Sequence, residues 1–284
     1  MIDIHLGDND PKVVLVQLLL ATRPPQAAIT IDGSFGQGTA DAVRAFQRAN
    51  PPLAQTGMVD TATWRRLLDL GPYAAVDHVD VDDLVVAMIE GRDIVASIRS
   101  GQQFGLVAAS ELARAGMPAQ SASIGMTNGV LQMIDQVIAA RSGRRLALLR
   151  IFGHGLAGYQ IVSAGHGAPG GRTTSHGSAL TAQAVRVMRS DWGRLAAVFS
   201  RAGSAELHGC HVGEGATGQA LLSALADIWQ VPVSASAGAQ RTGRGETARF
   251  EGGVRTAFPG GGVLRSWAQR IAQTEGSSSR TAPH

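Results

Sequence analysis

The chain has 284 residues, 44% of them hydrophobic and 17% charged, with a formal net charge of +3. That length accommodates two domains, each with its own core, and that balance excludes a wholly disordered or fibrous chain. The basic residues are nearly all Arg, Lys12 being the only Lys, and they are scattered; without a basic stripe interleaved with aromatics, no nucleic-acid partner is expected.

The chain opens with an acidic segment, then an apolar run over residues 13–21 that Gln17 breaks and Arg23-Pro24-Pro25 closes. The run is too short to span a bilayer and its flanks are wrong for a secretory leader. Neither an integral membrane segment nor a cleavable signal peptide is expected. A protein working in the cell envelope or outside the cell would then pass from the cytoplasm by another route. One cysteine excludes an internal disulfide.

Residues 1–72 read as a small all-α domain of three short helices. Asp10 is placed to cap the first, with Pro11 in its opening turn and Val14 and Leu18 on one face. Thr39 is placed to cap a second helix carrying Val43 and Phe46, and Asp60 a third, in which Trp64, Leu67 and Leu68 share a face. Between the first two lies Ile31-Asp32-Gly33-Ser34-Phe35-Gly36, a turn with two glycines and one aromatic to bury.

Three stretches match a pattern at many positions together: Val13-x-x-Val16-Gln17-x-x-Leu20, then Asp32-Gly33-x-Phe35-Gly36-x-x-Thr39-x-x-Ala42-Val43-x-x-Phe46-Gln47, then Gly57-x-Val59-Asp60-x-x-Thr63-Trp64-x-x-Leu67. Their order resembles the peptidoglycan-binding domain of cell-wall hydrolases. The resemblance implies a partner in the glycan or stem peptide of a bacterial wall. Most of the matched positions are core apolars, caps and turn glycines, which any domain of this fold would need.

Residues 73–83, with Asp77, Asp80, Asp82 and Asp83, read as a linker. An α/β domain is expected over 84–273 and a flexible tail over 274–284. Helical patterns fall near 105–115 and around Leu131, Ile134 and Ile138. The apolar run 146–152, interrupted only by Arg150 and bounded by Gly143 and Gly153, predicts a strand buried on both faces. A Gly/Ser/Thr-rich loop over 163–178 contains His166 and His176, expected to be solvated. Then come a helix over 179–188, a short strand over 205–208, a helix over 217–229, a strand over 231–235 and a last helix around Leu264, Trp267 and Ile271. This alternation predicts a mainly parallel sheet with helices on its faces.

Two of these strands end in reactive residues framed by glycine: Gly153-His154-Gly155, and His208-Gly209-Cys210-His211 followed by Gly213 and Gly215. Ligands of open α/β sheets bind beyond the carboxyl ends of the strands. A thiol with an ordinary pKa of about 8.5 is mostly protonated at neutral pH, and a neighbouring imidazole can take its proton and return it to a leaving amine. Cys210 is therefore the candidate nucleophile and His154 its base. The backbone N–H groups of Gly155 and Cys210 are candidates to hold an oxyanion. Ser234 and Ser236 are candidate substrate-binding residues beside the site. His208, Cys210 and His211 could instead gather a metal, but no carboxylate or second Cys completes a zinc pattern, so no metal and no cofactor are expected.

Around these residues the chain resembles the caspase-like cysteine peptidases, a group that includes caspases, gingipains and legumains, and most of all a subgroup from large bacterial surface proteins. The matching elements are Ile151-Phe152-Gly153-His154-Gly155, Gly209-Cys210, Gly218-x-x-Leu221-x-x-x-Leu225-Ala226 and Val233-x-Ala235-Ser236. The resemblance implies a caspase-like α/β fold and peptide-bond hydrolysis by His154 and Cys210, on a protein or on peptidoglycan stem peptides. His211 stands where that subgroup often has an acidic residue, and the caspase signature around Cys is absent. Specificity for Asp is therefore not implied. The alternative from another class is a non-catalytic wall-binding module.

Overall fold

A computed structural model describes residues 3–22, 25–68, 130–140, 145–161, 179–240 and 250–278. The linker at 73–83, the helix near 105–115 and the loop with His166 and His176 lie outside the described residues. So do 279–284 of the expected tail.

Three helices form the N-terminal part: α1 (Pro11–Thr22), α2 (Gln37–Ala49) and α3 (Thr61–Leu68). Asp10 caps α1 as expected, its Oδ1 accepting the Lys12 N–H at 2.8 Å, and Asp60 caps α3, its Oδ1 accepting the Thr63 N–H at 2.7 Å. Thr39 does not cap α2. That helix starts three residues earlier, with Gly36 at its N-cap, and Thr39 is buried in its first turn, accepting from Gln17 at 3.2 Å.

Gln17 and Gln47 do parallel work. The Gln17 amide donates to Asp32 Oδ1 at 2.8 Å and its Oε1 accepts the Gly33 N–H at 2.9 Å. The Gln47 amide donates to Thr63 Oγ1 at 3.0 Å and its Oε1 accepts the Gly57 N–H at 2.9 Å. Gly33 and Gly57 have φ of +79° and +76°, a region open chiefly to glycine. Each buried amide thus closes a glycine turn, which accounts for two matched glutamines by scaffold rather than by ligand.

The second part contains α4 (Val130–Ala140), β1 (Leu146–Phe152), a hairpin of β2 (Gly155–Leu156) and β3 (Tyr159–Ile161), then β4 (Ala179–Thr181), α5 (Ala182–Val187) and α6 (Arg189–Ala196). There follow β5 (Phe199–His208), α7 (Gly215–Trp229), β6 (Val233–Ser236), β7 (Val254–Ala257) and α8 (Leu264–Ser278). Among the described residues the main sheet has the order β1-β5-β6-β7, with β1, β5 and β6 parallel and β7 antiparallel at the edge. The protein is α/β with a mostly parallel sheet and a helical N-terminal region. Two elements differ from expectation. Residues 179–181 are a strand pairing with β3, whose Thr181 then caps α5 through the Ala184 N–H at 3.0 Å. And α8 continues to Ser278, into the segment expected as a tail.

Both faces of the sheet are covered, by different parts of the chain. Leu149, Ile151, Ala205, Leu207, Val233 and Ala235 share a core with Trp192, Leu221, Leu225 and Trp229 of the helices that follow β1 in sequence. Residues of the opposite parity, Leu148 and Ala202, share a core with α1, the rest of the N-terminal helices, and Trp267, Ala268 and Ile271 of α8. This explains an oddity of α1. Val13, Val14, Leu15 and Val16 are all 3% exposed or less, whereas a helix at the surface of a small bundle buries one stripe. Here α1 is clamped between its own bundle and the sheet, so it is buried on nearly every side.

Candidate functional site

Arg150 interrupts the apolar β1 because its guanidinium faces Glu206 of β5, with Nε 3.2 Å from Oε2. The other carboxylate oxygen takes the Lys12 ammonium of α1 at 2.5 Å, and Lys12 also reaches Asp10 at 3.1 Å. His208 completes the cluster, its Nε2 2.9 Å from Glu206 Oε2 and its ring stacked on Phe250 at 4.6 Å between centroids. All of Lys12, Arg150, Glu206 and His208 are buried. Burial works against charge on Glu206, but Lys12, the hydrogen bond from His208 and Arg150 outweigh it and hold the carboxyl well below its usual range. Burial likewise works against the Lys12 ammonium, and Asp10 and Glu206 outweigh it, holding its pKa above the usual lysine value. The cluster was not foreseen from the sequence. Its signal was the charge of Arg150 and Glu206 inside two buried strands and the solitary lysine.

Strands β1 and β5 lead from that cluster to the candidate site. Phe152 pairs with His208, and the Gly153 N–H donates to the His208 carbonyl at 3.3 Å. His154 and Cys210 each stand two residues beyond that last pair, on adjacent parallel strands whose usual spacing is about 4.8 Å. The two expected strand ends therefore emerge side by side at the carboxyl edge of the sheet. Their backbones touch: a Cβ on Gly155 would meet Val212 Cγ2 and, at 2.8 Å, the Cys210 carbonyl, and a Cβ on Gly209 would lie 3.0 Å from the Gly153 carbonyl. The glycine frame exists because no side chain fits between these turns. Replacing Gly155 with Ala is accordingly expected to cost about 1–3 kcal/mol in urea unfolding. Gly193→Ala, on α6 with nothing within 4 Å of the added atom, is expected to be neutral or mildly stabilising.

Cys210 is partly exposed. Its Sγ accepts the Gln240 N–H at 3.3 Å. The Gln240 loop is held by Ser236, whose buried Oγ donates to the Glu251 carbonyl at 2.6 Å and accepts the Gly238 N–H at 3.0 Å. Gly238 in turn accepts the His211 N–H at 2.8 Å, while His211 itself, at φ +60°, pairs its ring with Glu214 at 2.8 Å. Ser234 is buried with its hydroxyl on Thr256 at 2.8 Å. Both serines expected at a substrate groove thus have internal hydrogen bonds, and Ser236 supports the loop beside the sulfur. His208 and His211 point their rings at Glu206 and Glu214 rather than gathering round Cys210. Among the described residues no group of three His, Cys, Asp or Glu side chains is arranged to hold a metal. His154 is half-buried, and the loss of hydration lowers its pKa from the ordinary 6.5, so the ring is mainly neutral and able to accept a proton at neutral pH.

Comparison with known families identifies two segments. Residues 9–67 match the peptidoglycan binding domain family, and residues 118–249 match a domain family of unknown function, DUF4347. No curated protein and no solved structure matches the chain. The N-terminal match supports peptidoglycan as a partner and association with the cell wall. Among the described residues no helix is long and apolar enough to cross a membrane.

Proposed function

We propose, taking the N-terminal peptidoglycan-binding match as premise, that this chain is a cell-wall-associated cysteine hydrolase cleaving peptide bonds through His154 and Cys210. The observation that carries the proposal is the meeting of two glycine-framed strand ends, one bearing an imidazole and the other the sole thiol, at the carboxyl edge of a parallel pair. Neutral His154 takes the thiol proton. The sulfur attacks the scissile carbonyl, the N–H groups of Gly155 and Cys210 hold the oxyanion, and the proton passes to the departing amine. Water then cleaves the thioester with His154 again as base. The caspase-like resemblance favours a protein substrate.

A second substrate reading rests on a specific observation. The N-terminal helices share a hydrophobic core with the sheet, so wall bound to them would stand in fixed register with Cys210, which favours stem peptides of the same polymer. Digestion of casein and of purified sacculi, before and after alkylation with iodoacetamide, tests both. Because Cys210 is the only cysteine, alkylation is a single-site perturbation. Loss of cleavage on alkylation supports the proposal and the substrate cleaved selects the reading. Cleavage that survives complete alkylation removes Cys210 as nucleophile. Failure to cut either substrate, with slow alkylation near neutral pH, leaves a non-catalytic wall-binding module.

A further inference from the structure

The opposite edge of the sheet, where the parallel strands begin, carries a second concavity. A cleft of about 920 Å³ opens between α8, the start of β5 and the C-terminal end of α7. Four arginines line it: Arg145 just before β1, Arg189 opening α6, Arg201 on β5 and Arg270 on α8. Among the described residues the lining has one carboxylate, Asp227, whose Oδ1 already accepts the Gly260 N–H at 2.8 Å. Among the described residues Arg145, Arg189 and Arg270 form no ion pair, although Arg145 donates to the Ala197 carbonyl. In a protein of net charge only +3, such a gathering round one cleft is a local positive field.

A second observation is independent of charge. Ser200 and Trp229 also line this cleft, and among the described residues Ser200 Oγ and Trp229 Nε1 are buried polar atoms with no hydrogen-bond partner. Trp229 is wholly buried. Buried donors are almost always paired, because an unmet one costs about 1–3 kcal/mol. Two unmet polar groups thus belong to residues in the wall of one cationic cleft.

We propose that this cleft binds a multiply charged phosphate-bearing anion. Planar guanidinium forks match phosphate oxygens two at a time, and four of them exceed the needs of a single carboxylate. The volume is also several times that of one phosphate, which fits an oligophosphate or a segment of a phosphodiester polymer. The site is separate from the Cys210 edge: Cys210 stands nine positions beyond Arg201 along β5 and its turn, roughly 30 Å of extended chain. The proposal therefore stands whether or not His154 and Cys210 are catalytic.

The test is titration calorimetry of the full chain at 150 mM NaCl with tripolyphosphate, orthophosphate and poly(glycerol phosphate). Saturable one-site binding is expected for tripolyphosphate or the polymer, at least tenfold tighter than for orthophosphate. Which of the two binds more tightly assigns the source, a soluble oligophosphate or an anionic wall polymer. The double variant Arg189→Gln/Arg270→Gln, altered only at exposed side chains, is expected to weaken binding at least tenfold with unchanged melting in the absence of ligand. Arg44→Gln/Arg48→Gln on α2 removes equal charge elsewhere and should leave binding within twofold. Equal weakening by both double variants would reduce the effect to net charge and overturn the proposal, as would binding only at millimolar concentrations.

Discussion

Under the proposed function, replacing Cys210 by alanine is expected to lower peptide hydrolysis by roughly a thousandfold or more, because the thiol supplies the covalent intermediate. Replacing His154 by alanine is expected to lower kcat/KM by roughly 10²–10⁴-fold, the usual worth of a positioned acid–base group, and to slow alkylation of Cys210 near neutral pH. The pair of outcomes separates chemistry from folding. Neither residue belongs to the hydrophobic cores, so both variants should melt close to wild type. The pH profile follows from the direction of the His154 shift. Half-burial lowers its pKa below the ordinary 6.5, so the proton-accepting form persists into mildly acidic solution and the acid limb of kcat/KM should fall below pH 6.5 rather than above it. That limb should vanish in the alkylation rate of His154→Ala. An acid limb centred above pH 7 would mean that a different group governs the thiol.

How much of this was legible in sequence depended on whether the deciding interaction was local. Strand β1 was readable because both its faces are buried, which yields the unbroken apolar run at 146–152, and its end at His154 followed from the glycines. Only the last four residues of β5 were recognised. Arg201, Gly203 and Ser204 break its earlier half, and that half is a strand because β1 pairs with it, not because of its own composition. Residues 179–181 fit a helical pattern until β3 supplied hydrogen bonds. Similarly, β7 carries largely exposed side chains along the sheet edge and showed no alternation to find. The adjacency of the two strand ends that carry His154 and Cys210 could be argued from topology alone. The support of the sulfur by Gln240 could not, since a backbone N–H leaves no trace in residue type. Nor could periodicity reveal what covers α1: it shows which positions are apolar, and the second partner of this helix lies far along the chain in β5 and α8.

That second partner makes Lys12 the residue whose loss should be felt most in stability. Lys12→Met is expected to destabilise the protein by about 3 kcal/mol, toward the lower end of the 3–5 kcal/mol seen when one member of a buried ion pair is removed, because Arg150 and His208 still face Glu206. Lys12→Arg should recover part of the loss. The dependence on pH has a definite sign. The Glu206 carboxyl is held well below the usual range, so its share of the stability is present above the unfolded value of about 4.3 and disappears as pH falls through the lower folded value. The Lys12 ammonium is raised above the usual value, so its share is complete below the unfolded value of about 10.4 and declines as pH rises toward the folded one. The gap between wild type and Lys12→Met should therefore be flat from about pH 5 to 10 and close in strong acid, where Glu206 no longer needs a counter-charge. Urea unfolding followed by tryptophan fluorescence measures it, with Trp64 reporting on α3 and Trp267 on α8. Because both tryptophans lie in the core that joins the N-terminal helices to the sheet, wild type should unfold in one transition. Two separated transitions in wild type, or a gap that persists undiminished at pH 2, would show that the N-terminal helices and the sheet are energetically independent and that the Lys12–Glu206 contact does not couple them.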